Sequence, residues 1–558
     1  MAALSRRSFM TGAATAAGAA AVGAASAQSL SGSGPRAKGG GKRVRLTSSR
    51  ERVVIIGSGF GGGVTALRLA QAGVPVLVLE RGQWWKTGPG AQTFPHAATP
   101  DKRDLFYTTT PEVAGLPTDL VPFAGILEPI AGENLTAIVA AGVGGGSLVY
   151  QGMTLQPSQA VFESLYPSSI DYSSMNSTYY PKVAGMLQIA TAPDELINSK
   201  TYYPPRQFAA NVQAAGYNLS KIPMPIDWNY ALDELKGEMP PSYTNGDCAL
   251  GVNNGGKHSV DVTYLQKAIA TGNCTVQPLS NVTDIAQASD GGWQVHVNVT
   301  DTSGIIQSQQ VISTGTLVLG AGAVNTTRLL LRAASKGTIT DLPDGVGQGY
   351  GTNGDQIYVW TDLAQDLGTP QGGPVVYGSF DWDDPSTANT VIQASLPPIA
   401  ANLTGFGLPS VLLPAAAQLA DMSVDIRSTM LVGYGVSDTR GTIGYNPLTG
   451  QATLNWPSGG DAAIAAAIKK RITAVAGPQS SLINTNDLAN STWHSLGGAC
   501  MGTVCDTEGR VQGKKGLYVL DGALQPGNTG ACNPSMTIAA IAERALDQIV
   551  RNDVGTVI

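Results

Sequence analysis

The stretch "RVVIIGSGFGGGVTALRLAQAGVPVLVLERG" (52–82) constrains the fold of this chain more than any other part of it. Arg52–Ile56 is a short apolar run suited to a buried parallel strand. Gly57, Gly59 and Gly62 then form G-x-G-x-x-G, with Phe60 inside the turn. A helical pattern runs from about Val64 to Ala72, and "VPVLVLE" reads as a second buried strand ending at Glu80. Glycine at those positions permits a tight turn and lets backbone approach a pyrophosphate on the helix N-terminus. Glu80 lies 23 residues after Gly57, where a carboxylate can accept from ribose hydroxyls. Strand, fingerprint, helix, strand and acid in that order predict a bound dinucleotide.

At 558 residues the chain exceeds a single hydrophobic core, so two large or interleaved domains are expected. Apolar residues make up 43% and charged residues 13%, which describes a well-buried globular protein. A net charge of −6 argues against nucleic acid as a partner. Residues 1–27 stand apart: a twin arginine in "SRRSFM", an Ala-rich apolar stretch and Ala25-Ser26-Ala27 occur in the order of a twin-arginine signal peptide. Residues 28–47 read as a flexible basic leader, and no other segment reads as a membrane span. The expected location is therefore secreted, with cell-surface association allowed. The five cysteines are too few and too scattered for a disulfide framework; buried thiols are expected, with one disulfide after export allowed. No metal site is expected, because His494 near Cys500 and Cys505 lacks a second ligand pair.

Further glycine-rich segments lie far from the first. "AAGVGGGSLVYQGM" (140–153) is a Gly-rich loop, "GTLVLGAGAVNTTRLLLRA" (315–333) a β-run passing into a helix. "KGLYVLDGALQPGNTGACNPSMTIAAIAERALDQIV" (515–550) reads as a strand, an Asp521-Gly522 turn and a closing helix whose first turn Pro534 pre-sets. The first fingerprint serves NAD and FAD alike. An exported enzyme meets no recycling NAD pool, and several separate glycine-rich contacts suit a long cofactor, so FAD is favoured.

These segments, with "HSLGG" (494–498), resemble the glucose–methanol–choline (GMC) family of FAD oxidoreductases, and within it the bacterial cholesterol oxidases that hold FAD non-covalently. The resemblance covers about residue 50 to the end and is weakest over 355–490. It implies an α/β (overall α+β) fold: a Rossmann-type FAD-binding domain from the discontinuous segments 48–86, 257–345 and 505–558. A substrate-binding domain from 87–256 and 346–504 would lay a largely antiparallel sheet over the flavin. The cofactor contacts carried over by motif are Gly57, Gly59, Phe60, Gly62, Glu80, Gly144, Gly145, Ser147, Val282, Asp521, Gly522, Asn533 and Pro534.

His494 is one of four histidines and stands in a glycine-flanked turn, off any periodic face. Alcohol oxidation by a flavin moves a hydride from the carbinol carbon while the hydroxyl proton must leave. A neutral imidazole can accept that proton near pH 7, and an amide opposite can orient the hydroxyl without charge. The family's catalytic His and Asn match His494 and Asn533; His96, His258 and His296 read as structural.

The resemblance implies a 3β-hydroxysteroid or similar bulky lipophilic secondary alcohol as substrate, O2 reduced to H2O2, a monomer, and peripheral contact with a membrane surface. The family's isomerising glutamate is missing: "NTVIQASLPPIAA" (389–401) holds Gln393, Ala394 and Ser395 where it is sought. Oxidation without efficient isomerisation is expected. Asp381, Asp383 and Asp384 sit in a turn-like stretch, and the apolar run 403–422 reads equally as core or as a lid. A GMC dehydrogenase passing electrons to a quinone or cytochrome, a catalytically silent sterol-binding flavoprotein and an NAD-dependent dehydrogenase are the competing readings.

Overall fold

The computed structural model describes residues 44–96, 101–107, 112–113, 116–117, 121–368, 371–373, 375–395, 427–487 and 490–558. The expected signal peptide, most of the leader and the apolar run 403–422 lie outside the described residues.

Two sheets organise the chain. The larger contains β1 (Arg45–Ile56), β2 (Val76–Leu79), β3 (Cys274–Gln277), β4 (Ser280–Gln287), β5 (Trp293–Thr300) and β6 (Ile306–Leu319) in the order β3-β2-β1-β6-β5-β4. The strand Leu517–Val519 also pairs with β6. β3, β2, β1, β6 and Leu517–Val519 are parallel, whereas β5 pairs antiparallel with β6, and β4 antiparallel with β5. Val53–Ile56 and Val76–Leu79 are buried throughout, as a sheet covered on both faces requires. Helix α1 (Phe60–Gln71) packs on the closing helix Pro534–Asn552. Arg68 holds the two together with two hydrogen bonds of 2.7 Å to the buried Glu543, 475 residues away. Helix α2 (Ala323–Lys336) follows β6.

The smaller sheet contains β7 (Gln356–Asp362), β8 (Tyr377–Asp381), β9 (Asn389–Ala394), β10 (Ser428–Gly435) and β11 (Ser480–Asn484) in the order β11-β7-β10-β9-β8, with Ser220–Lys221 at its edge. Every pairing in it is antiparallel. One face packs Tyr358, Trp360, Val391 and Leu431 against Ile464, Ile468, Ile472 and Val475 of helix Ala462–Ala476. The other carries the cross-strand row Ile357, Val432 and Ile392, paired in that register. It faces the cavity described below.

Three expectations change. β1 begins at Arg45, so the last residues of the expected leader, from Arg45 on, are a strand. Their side chains are largely exposed, and the ladder to β6 holds them without an apolar pattern. α1 begins at Phe60 rather than near Val64. Gly61, Gly62 and Gly63 belong to its first turn because a Cβ there would lie 1.6 Å from Leu520 O, 2.1 Å from Gly57 O and 2.3 Å from Val260 Cγ1. These glycines pack a helix tightly instead of forming a loop. All five cysteines are free thiols, so the disulfide that the sequence allows is not formed.

Candidate active site

A cavity of about 350 Å³ lies between the two sheets. Its polar end is built at the fingerprint. Gly57 takes φ +95°, and Ser58, Gly59, Phe60 and Gly61 line the wall. Glu80 lines it too, and it is buried by its own donors: Ser58 Oγ at 2.6 Å and Ser58 N at 3.2 Å to Oε2, and Gly82 N at 2.9 Å to Oε1.

Three helices begin at this cavity: α1 at Phe60, α2 at Ala323 and the closing helix at Pro534. None of the three has a side chain capping its first turn. Helix N-termini leave N–H groups without intrahelical partners and carry partial positive charge. Gly59 and Gly145 both line the cavity, and a Cβ on Gly59 would meet nothing nearer than Gly145 Cα at 3.8 Å. Arg328, on the same face of α2 as Val324 and Asn325, lines the wall with no ion-pair partner among the described residues. Uncapped N–H groups, bare glycine backbone and an unpaired cation fit an anionic dinucleotide. Asp521 closes this end, accepting from Gly322 N at 2.8 Å, Thr326 Oγ1 at 2.6 Å and Ala523 N at 2.8 Å. Burial pushes its carboxyl up to about 6.

Of the residues singled out in the sequence, Gly57, Gly59, Phe60, Glu80, Gly145, Val282, His494, Asp521, Gly522, Asn533 and Pro534 all line this one cavity. Gly62, Gly144 and Ser147 stand behind the wall. Gly62 packs on Gly57, and Gly144 takes φ +112° and donates its N–H to Ser58 Oγ at 3.1 Å. Ser147 Oγ donates to Gly144 O at 2.7 Å and accepts from Val260 N at 2.9 Å. These three shape the turns that the others present.

Another part of the wall is apolar. Ile357, Ile392, Met430 and Val432 come from the smaller sheet, Met153 and Trp493 from loops, and Leu250 from the helical turn Asp247–Leu250. His494 enters here, with Nδ1 2.6 Å from Asp355 Oδ1. Asp355 is a site residue that the motif reading missed. It also accepts on Oδ2 from Thr492 Oγ1 at 2.8 Å and Trp493 N at 3.2 Å. Asn533 Nδ2 donates to Ser535 Oγ at 2.6 Å and to Met153 O. Its Oδ1 lies 3.5 Å from Leu155 N, so the acceptor side is the weakly engaged one. Gln393 does not line the cavity; its Nε2 donates to Thr429 Oγ1 at 2.9 Å on the other face of β9. Ser395 does line it, with its hydroxyl spent on Gly372 O. Elsewhere His258 bonds to Leu187 O at 3.2 Å and His96 to Asp247 at 2.7 Å.

A two-sheet architecture in which one cavity joins an uncapped, glycine-walled dinucleotide cradle to an imidazole–amide pair defines an FAD-dependent oxidoreductase of alcohol-type donors. The chain belongs to the GMC oxidoreductase family, whose N-terminal model matches residues 37–349 and whose C-terminal model matches residues 451–542. It is similar to the cholesterol oxidase of Mycobacterium tuberculosis, 27% identical over 561 residues that cover 88% of this chain and 90% of that one. It is also similar to the cholesterol oxidase of Acinetobacter baumannii, at 23% identity over 89% and 94% of the two chains. The 2-methyl-1,2-propanediol dehydrogenase of Mycolicibacterium austroafricanum matches at 25% over 56% of each. Among solved structures, pyridoxine 4-oxidase from Mesorbium loti shares the fold with a TM-score of 0.59 at 14% identity, over 90% of this chain and 99% of that one.

Proposed function

We propose that this protein is an exported, FAD-dependent oxidase of a 3β-hydroxysteroid or a similarly bulky lipophilic secondary alcohol, acting as a monomer with O2 as electron acceptor. The observation that carries this reading is the convergence of His494, Asn533 and an apolar wall on the cavity that also receives the three helix N-termini. The apolar row Ile357, Val432 and Ile392, with Met430 and Met153, suits a rigid hydrocarbon body. The similarity to two cholesterol oxidases over most of the chain supports the sterol. The twin-arginine stretch supports export, and peripheral contact with a membrane surface follows from where such a substrate resides. The division into a cofactor domain (48–86, 257–345 and 505–558) and a substrate domain (87–256 and 346–504) is part of the same reading.

Bound FAD supplies the hydride acceptor. The residues orient the alcohol and receive its proton. His494 takes the hydroxyl proton at Nε2, and Asn533, its amide held by Met153 O and Ser535 Oγ, bounds the site and limits the rotation of the carbinol. The apolar wall excludes water around them.

Isomerisation needs a carboxylate free to carry a proton between two carbons. Among the described residues the cavity's carboxylates are Glu80, Asp247, Asp355 and Asp521. Each is already engaged with donors of the protein, Asp247 with His96 and Asn245. The expected product from cholesterol is thus the unconjugated 5-en-3-one. Incubation in air with peroxide detection and chromatography of the steroid tests the proposal. Peroxide with accumulating 5-en-3-one is expected. Ketone without peroxide, appearing only when a quinone is added, would replace the oxidase with a dehydrogenase, and rapid 4-en-3-one would show an unrecognised base.

A further inference from the structure

An imidazole accepts a proton only through a nitrogen that carries none, so the tautomer of His494 decides whether it can act. Asp355 Oδ1 lies 2.6 Å from Nδ1, and the carboxylate is nearly fully buried at 5% exposure. Its other oxygen accepts from Thr492 Oγ1 and Trp493 N. An ionised carboxylate has no hydrogen to give, so Nδ1 is the donor in the short contact. The lone pair of the neutral ring is then on Nε2, which has no hydrogen-bond partner among the described residues. The ring is also held from the side: Tyr434 of β10 meets it edge-on, centroids 5.8 Å apart at 86°. Asp355 stands two residues before Ile357 of β7, and both line the cavity. The smaller sheet thereby carries the substrate wall and the support of the base on one rigid element.

We propose that Asp355 is the positioning residue of the reaction. It locks His494 in the Nδ1–H form, presents Nε2 to the substrate hydroxyl and stabilises the imidazolium that results. The balance is complete: the O–H bond breaks, its proton bonds to Nε2, its electron pair closes the C=O, and the C–H pair leaves as hydride to the oxidised flavin. Asp355 takes no proton. This inference rests on His494 being the proton acceptor.

The test uses holoenzyme labelled with 15N-histidine. Long-range 1H–15N correlation reports which ring nitrogen is protonated, and the absence of one of four signals in His494→Gln assigns His494. In wild type Nδ1 should carry the proton. In Asp355→Asn that form should be lost, because the carboxamide can also donate, and anaerobic flavin reduction by cholesterol should slow about 10²-fold. The substrate concentration at half-saturation should move less than about threefold, and the melting temperature by a few degrees. Asp355→Glu should recover part of the Nδ1–H signal. Retention of the Nδ1–H form in Asp355→Asn, or a wild-type reduction rate in that variant, would overturn the inference. A wild-type rate in His494→Gln would overturn the functional reading instead.

Discussion

Ser58 donates its hydroxyl to Glu80 at 2.6 Å across the 22 residues that separate the fingerprint turn from the end of β2. Ser58 N and Gly82 N add two more donors to the same buried carboxylate. Glutamine cannot accept at both ends, so Glu80→Gln turns one of these contacts into donor against donor. The expected cost is about 2 kcal/mol of stability, with loss of flavin. The urea midpoint and the flavin-to-protein absorbance ratio after gel filtration check both; a fully flavinated variant of wild-type stability would show that Glu80 is dispensable.

Gly57 and Gly59 stand two residues apart and should fail differently. A Cβ on Gly57 would lie 2.3 Å from Gly320 O in a left-handed backbone, so Gly57→Ala should yield little soluble protein. Gly59 has φ −71°, and its Cβ would meet only Gly145 Cα at 3.8 Å. Gly59→Ala should therefore fold and bind FAD more weakly, measured as flavin released on dilution. Equal loss of fold in both variants would contradict the cradle.

Burial pushes the Asp104 carboxyl up to about 7. The folded protein then holds a proton that the unfolded chain releases near pH 4, so this group's contribution to stability falls as pH rises from about 4 to about 7. Asp104→Asn lacks that loss. Relative to wild type it should gain stability between pH 5 and pH 8, by at most about 3 kcal/mol, in urea titrations at the two pH values. A pH-independent difference would contradict the assigned burial.

Asn533→Leu removes the donors that Met153 O and Ser535 Oγ receive. Flavin reduction should fall about 10²-fold with a stability loss of about 1–3 kcal/mol. Stopped-flow reduction and thermal melting separate the two effects, and an unchanged reduction rate would remove Asn533 from the chemistry.

The fold was legible where the signal is local. The β1–α1–β2 unit reads from an apolar run, a fingerprint and an acid, and the closing helix from Pro534 onward. The start of α1 was not, because glycines that pack against Leu520 O and Val260 look like a loop in sequence. Asp355 was invisible for another reason. It meets His494 across 139 residues, beside an antiparallel bridge between Gly351 and Leu496 that no local pattern encodes. The register of the smaller sheet likewise assembles Ile357, Val432 and Ile392 into one wall from three strands, which no motif encodes. Gln393 carried the right sequence position for a missing glutamate, yet strand alternation turns it to the other face.

The proposed hydride transfer from a lipophilic alcohol to FAD, with His494 receiving the proton, is tested most directly by anaerobic mixing of the holoenzyme with cholesterol, followed by flavin absorbance. Rapid bleaching is expected in wild type and a reduction at least about 10²-fold slower in His494→Gln. Flavin that stays oxidised with cholesterol, or that bleaches equally fast in both proteins, would contradict it.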